Sequence, residues 1–238
     1  MINSVITSKY CKNGTFLRRI QSFVSRNRKL SDSQSNFISM YWPKFGIDFS
    51  QFYINIDDYF HFHFPLILEI GFGVGDSLLR YALRNPSKNF IGIEVYLPGI
   101  VSCLKHINFH SLKNVRIIYH DAVEVLNNMI CDKTLHEIQI FFPDPWPKRR
   151  HRKRRIFTKM FARLILKKLV FNGILHISTD CQSYAEEIVS IVHDISGYSN
   201  LSNSNSYISR PKFRPFTKFE KKAIRFNNSV FDLMFKSV

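Results

Sequence analysis

From Leu66 onward, short apolar runs alternate with longer stretches of helical periodicity, and this alternation restricts the fold more than any other feature of the chain. The apolar runs cover residues 66–70, 90–95, 115–119, 138–142 and 174–178. Helix-like stretches fall between and after them at 77–84, 98–109, 122–130, 157–169 and 183–193, with Asp76 placed to cap the first. Strands that alternate with helices are joined by crossovers, and crossovers produce parallel pairing. The expected architecture is therefore α/β, a doubly wound parallel sheet with helices on both faces. Residues 230–235 read as a last strand closing the sheet edge, residues 197–206 as a mobile surface loop, and residues 210–219 as a shaped loop containing two prolines.

A doubly wound sheet binds ligands beyond the carboxyl ends of its strands. Each of the five expected strands carries an acid at or just past that end: Glu69, Glu94, Asp121, Asp144 and Asp180. Any single one reads equally well as a solvated edge residue. Five of only 18 acids, in a chain with 34 Lys and Arg, are harder to assign to chance. An acidic rim repels pyrophosphate and suits a ligand with its own positive charge and hydroxyl groups, such as S-adenosyl-L-methionine. The loop after the first strand agrees with this. Gly71, Gly73 and Gly75 follow Glu69 directly, but the third glycine of a dinucleotide fingerprint would fall at position 76, which is Asp76. A nicotinamide dehydrogenase is disfavoured on both counts. Glu94 is placed to accept both hydroxyls of a ribose.

The fourth strand leads into Asp144-Pro-Trp-Pro, a carboxylate between prolines beside the aromatic Trp146. This resembles the Asp/Asn-Pro-Pro-aromatic corner of amino-directed nucleic-acid methyltransferases. There the prolines stiffen the loop, the aromatic stacks a base and the acid meets its edge. A Pro-rich turn with Trp146 capping the core is the plainer alternative. Seven of the next eight residues, 148–155, are Lys or Arg. Such runs are commonly solvated faces. This one is internal and leads into an amphipathic stretch, so a grip on phosphates at the mouth of a site is expected.

The net charge of +16 points to a polyanionic partner. No apolar stretch reaches the roughly 20 residues needed to span a bilayer, and residues 1–13 lack the apolar block of a signal peptide. The scattered Cys11, Cys103, Cys131 and Cys181 read as reduced thiols without metal-ligand spacing, and His106 and His110 as surface histidines. The expectation is a cytoplasmic protein with no metal and no obligate protein partner. Residues 1–64 read as a basic N-terminal extension containing Arg18, Arg19, Arg26, Arg28 and Lys29, its first dozen residues mobile, and residues 65–238 as the catalytic-type domain.

From about Phe16 to the C-terminus the chain is similar to bacterial tRNA (guanine-N7-)-methyltransferases of the TrmB type. The similarity rests on Ser22-Phe-Val, Tyr41-Trp-Pro, Leu68-Glu-Ile-Gly-Phe-Gly-Val-Gly75, Gly92-Ile-Glu-Val and His120-Asp-Ala-Val-Glu-Val-Leu126. It continues through residues 144–155, Ile177-Ser-Thr-Asp180 and Arg214-Pro-Phe-Thr-Lys-Phe-Glu220. The resemblance implies a Rossmann-like, class I S-adenosylmethionine-dependent methyltransferase with a seven-stranded, mostly parallel sheet. It implies methyl transfer to N7 of guanosine-46 in the variable loop of tRNA. Carried over by position, Glu69, Gly71, Glu94, Asp121 and Asp144 hold the cofactor, and Asp144 is catalytic. Lys148, Asp180, Thr217, Lys218, Phe219 and Glu220 contact the guanosine, while Arg150, His151, Arg152, Lys153, Arg154 and Arg155 meet RNA. The chain departs from the family at Cys181, where Trp is usual. It departs again after Glu220, where a glycine and a Gly-His-Gly-Val-Trp run give way to Lys-Lys-Ala-Ile-Arg-Phe-Asn-Asn-Ser-Val-Phe. A DNA amino-methyltransferase and a non-catalytic RNA-binding protein on the same fold are the competing expectations.

Overall fold

The structure is a computed structural model that describes residues 20–24, 30–204 and 206–238. Residues 1–13, Arg18, Arg19, Arg26, Arg28 and Lys29 lie outside the described residues. The described strands are β1 (Gly46–Ile47), β2 (Leu66–Ile70), β3 (Asn89–Glu94), β4 (Val115–Tyr119), β5 (Leu135–Phe141), β6 (Leu169–Thr179), β7 (Tyr198–Asn200) and β8 (Phe231–Ser237). They form one sheet in the order β1-β4-β3-β2-β5-β6-β8-β7. Pairing is parallel except for β8, which runs antiparallel between β6 and β7.

The sheet thus has eight strands rather than the expected seven, because Gly46 and Ile47 add a short edge strand beside Ile117 and Ile118. Residues 231–237 do not close the edge as expected. They lie inside the sheet, and the edge is formed by Tyr198–Asn200, within the stretch expected to be a loop. Its three residues carry too little alternation to stand out.

Alternate residues along each strand enter opposite layers, as a period of two requires. Ile67, Phe90, Val115 and Ile117 pack under α1 (Asp32–Phe45), α2 (Asp76–Arg84) and α3 (Leu97–Phe109). Leu68, Ile70, Ile91, Ile93 and Ile118 pack with α4 (Ala122–Asn128), α5 (Lys159–Lys168) and α6 (Gln182–His193). The last helix, α7 (Lys218–Arg225), precedes β8. Helix α2 is capped by Gly75, in the left-handed region at φ 92°, so Asp76 is its first residue instead of its cap.

Part of the expected extension is built into this body. Ser31 and Gln34 form a reciprocal capping box that starts α1, and Trp42 Nε1 donates to Asp48 Oδ1 at 2.8 Å across its end. Ile38 and Phe45 are buried in the layer of α2 and α3. Burial of two such side chains contributes about 3–6 kcal/mol in all.

A candidate cofactor and RNA site at the carboxyl edge of the sheet

The strand order reverses direction at β2, which pairs with β3 on one side and β5 on the other. The loop leaving β2 therefore opens into a crevice at the topological switch point. Gly71 (φ 75°) and Gly73 (φ 61°) line it in the left-handed region, and a Cβ on either would meet nothing within 4 Å. Glycine is needed there for conformation, and the space above it is open.

Glu69, at the end of β2, is buried, and its Oε2 has no hydrogen-bond partner. Burial, with the charges of Glu94 and Glu137 adding to it, pushes its carboxyl up to about 8. A buried carboxyl whose raised pKa is opposed only by the nearby Ser77 hydroxyl, beside an open glycine cradle, is suited to a cationic ligand group. Glu94 ends β3 and is also buried. Its Oε2 accepts from Gly73 N at 2.7 Å, and its Oε1 accepts from Val95 N at 2.7 Å and Tyr96 N at 2.9 Å. Burial raises its pKa, the three N–H groups oppose that, and the charge of Asp144 adds to the rise. A carboxylate has about four acceptor positions, so in this conformation Glu94 has room for one further donor.

Asp121 follows β4 and caps α4, accepting from Glu124 N at 3.1 Å. Beside it His120 Nε2 meets Glu124 Oε2 at 2.7 Å, with Phe49 stacked on the imidazole at 3.7 Å. Asp144 is exposed after β5, and Asp180 is exposed after β6. Asp144 lies within electrostatic reach of Glu94, and Glu94 within reach of Glu69 and Tyr119, so Glu69, Glu94 and Asp144 are neighbours along this edge.

The corner around Asp144 is held under strain. Phe142 (φ 52°) and Trp146 (φ 44°) both sit in the left-handed region, at about 1–2 kcal/mol each for a residue with a Cβ. Phe142 N donates to Ser178 O at 2.8 Å, which ties the entry to β6. Trp146 does not present an open plate as expected: Arg154 lies over its ring at 4.9 Å, His151 meets it edge-on, and its Nε1 donates to Ser22 O at 3.2 Å. The indole braces the corner against the N-terminal segment.

The cationic run forms a 3-10 turn, Arg149–Arg154, with Lys148 as its cap. Lys148, Arg150, Arg152 and Lys153 are exposed, and His151 and Arg154 are half-buried. Arg155, expected to meet RNA, faces inward instead. It is 2% exposed, its Nε donates to Pro145 O at 2.8 Å, its Nη1 pairs with Glu187, and its guanidinium lies over Tyr184 at 4.4 Å. The chain must enter the body here to start α5, and Arg155 fastens the corner to α6. Nothing in the linear run marks Glu187 as its partner.

The segment before β8 also divides differently from expectation. Thr217 caps α7 through its hydroxyl, which accepts from Glu220 N at 3.0 Å. Glu220, expected to touch the guanosine, is 1% exposed and accepts from Arg214 at 2.8 Å on each oxygen and from Arg210 Nε at 2.6 Å. Arg214 also reaches Asp232, which accepts from His176 and Ser178 at 3.0 Å each. These contacts pin residues 210–220 to β6 and β8. Lys218 and Phe219 remain exposed, with the Phe219 ring stacked 6.4 Å from Phe142. Sequence reasoning missed Glu187, His176 and Asp232, whose partners lie 32, 56 and 18 residues away.

An open glycine cradle at the switch point of a doubly wound sheet, rimmed by buried acids and with one antiparallel strand near the far edge, defines a class I methyltransferase. The family model described as "Putative methyltransferase" matches residues 63–233. The chain is 52% identical over 230 residues to a tRNA (guanine-N(7)-)-methyltransferase of Buchnera aphidicola subsp. Baizongia pistaciae, covering 97% of this chain and 95% of that one. It is 46% identical to the enzyme of that name from Salmonella typhimurium over 238 residues, 100% of both chains. The chain belongs to the bacterial tRNA (guanine-N(7)-)-methyltransferase family. In fold it is similar to a precorrin-6y C5,15-methyltransferase from Geobacter metallireducens, with a TM-score of 0.50, 10% identity and coverage of 76% and 84% of the two chains.

Proposed function

We propose that this chain methylates N7 of guanosine-46 in the variable loop of tRNA, with Asp144 as the catalytic residue. The coarser activity follows from family membership: the chain is a tRNA (guanine-N7-)-methyltransferase that uses S-adenosyl-L-methionine. One observation supports the residue assignment most directly, the buried Glu69 carboxyl with an unpartnered oxygen beside the open cradle of Gly71 and Gly73.

When bound, S-adenosylmethionine supplies an electrophilic methyl group on a sulfonium. Glu69 offers a low-dielectric carboxylate to its cationic part, Gly71 lets the backbone approach, and Glu94 and Asp121 offer acceptors further along the rim. Guanine N7 carries a lone pair and loses no proton on methylation, so no strong general base is needed. Asp144, on a braced corner, stabilises the positive charge that develops on the base. We assign Lys148, Asp180, Lys218 and Phe219 to contact with that base, and Arg150, Arg152 and Lys153, all exposed, to the surrounding phosphates. Thr217 and Glu220 serve the site indirectly, by holding Lys218 and Phe219 in place.

Asp144→Ala is expected to lose about 1.5–3 kcal/mol of transition-state stabilisation, roughly ten- to hundredfold in rate. The check is single-turnover methylation of unmodified tRNA with labelled cofactor, followed by nucleoside mapping. Wild-type turnover by the variant removes Asp144 from the mechanism. Methylation at an exocyclic amino group of DNA would favour the amino-methyltransferase reading instead.

A further inference from the structure

The expected RNA contacts all lie in the turn that follows β5. The strand order brings a second element to the same half of the edge. Helix α7 ends shortly before β8, which runs antiparallel to β6, so it enters the sheet at the edge where Asp180 ends β6. Glu220 and Ala223 form the buried side of α7, while Lys218, Phe219, Lys221, Lys222, Ile224 and Arg225 are exposed. Phe226, just beyond, is 68% exposed.

Three features set this helix apart from an ordinary solvated face. First, among the described residues none of Lys218, Lys221, Lys222 or Arg225 takes part in an ion pair; the acids at hand, Glu220 and Asp232, are buried and taken by Arg210, Arg214 and His176. Second, the cations are interleaved with exposed aromatic rings, the composition of a surface that holds phosphates and stacks bases. Third, the helix is fixed in place. Thr217 caps it, Glu220 sits in its first turn, and Lys222 and Arg225 sit in its last turn, where they complement the helix dipole. A rigid cationic face loses less freedom on binding than a loop does.

We propose that α7 is a second RNA-docking face, in which Lys221, Lys222 and Arg225 hold backbone phosphates of tRNA in addition to those held by residues 148–154. The inference rests on the tRNA reading above and extends it. The Phe142–Phe219 contact sets the start of α7 beside the catalytic corner, so two positive elements would adjoin it.

The test is equilibrium binding of unmodified tRNA across a salt series, with S-adenosylhomocysteine binding by calorimetry and methylation kinetics run in parallel. The triple variant Lys221→Gln/Lys222→Gln/Arg225→Gln preserves helix propensity. Its log affinity should fall less steeply with log salt, the slope shrinking by about 2–3, and its tRNA affinity should drop roughly tenfold or more. KM for tRNA should rise while kcat and S-adenosylhomocysteine affinity hold. A control triple, Arg80→Gln/Arg84→Gln/Lys113→Gln, removes equal charge from exposed positions away from the rim and should change tRNA affinity by less than twofold. The proposal is overturned if the α7 variant keeps the wild-type slope, or if the control loses as much. If wild type binds tRNA but methylates none, the activity reading fails alone, since the binding comparison between the two triples still decides the role of α7.

Discussion

Glu69 shows how much one carboxyl can report. With a folded pKa of about 8 against an ordinary 4.5, the folded chain binds more protons than the unfolded chain between those values. Its contribution to stability is therefore complete below about pH 4.5 and is lost as pH rises towards 8. Glu69→Gln should remove that decline, visible as a flatter Tm-against-pH curve over this window. A cationic ligand favours the ionised form, so cofactor binding at pH 7 should release close to one proton from the wild type. Calorimetry in two buffers of different ionisation enthalpy measures this release, and Glu69→Gln should abolish it. The position of Glu69 was legible in the sequence because it sits between a strand and a glycine loop. Its protonation was not, because Glu137, which adds to the shift, comes from a strand 68 residues further on, paired through Ile67↔Glu137.

At the scale of elements, the cationic turn and the corner before it separate into parts that bind and parts that brace. Arg155→Ala leaves Glu187 without its cation and Pro145 O without its donor, at a cost of about 2–4 kcal/mol. Tm should fall by roughly 5–15 °C on that basis, and the salt slope of tRNA binding should stay near wild type. Arg152→Ala should do the reverse, shrinking the slope by about 0.7–0.9 while leaving Tm unchanged. Thermal melts and salt titrations on the same two proteins separate the roles. Equal slope changes in both would return Arg155 to the RNA surface. The same division applies to α7: Glu220→Gln should destabilise by roughly 3–5 kcal/mol, because Arg210 loses its carboxylate and Arg214 keeps only Asp232. A run of like residues announces a charged surface, but only the path of the backbone decides which member turns inward.

Across the whole molecule, the carboxyl edge of the sheet is divided by strand order. Asp121 follows β4, Glu94 and Glu69 lie at the ends of β3 and β2, and Asp144 follows β5 in the middle. The cationic turn and α7 then occupy the half made by β5, β6 and β8. The acidic half of the edge thus adjoins a positive half, the arrangement that the proposed cofactor and RNA roles call for. The body that supports this edge extends into the first 64 residues, since Ile38 and Phe45 are buried against α2 and α3. We therefore expect a chain beginning at residue 65 to lose its cooperative melt, and Phe45→Ala to cost about 3–5 kcal/mol by denaturant titration. Taken alone, the sequence determined the central strands and helices, because hydrophobic period and length are local properties of consecutive residues. It also determined which acids stand at strand ends, because a parallel sheet puts every such end on one side. Tertiary structure alone decided the two edge strands, the burial of Arg155 and Glu220, the brace under Trp146 and the exposed face of α7. Each of these depends on a partner brought close by folding, and no stretch of neighbouring residues encodes which distant group will arrive.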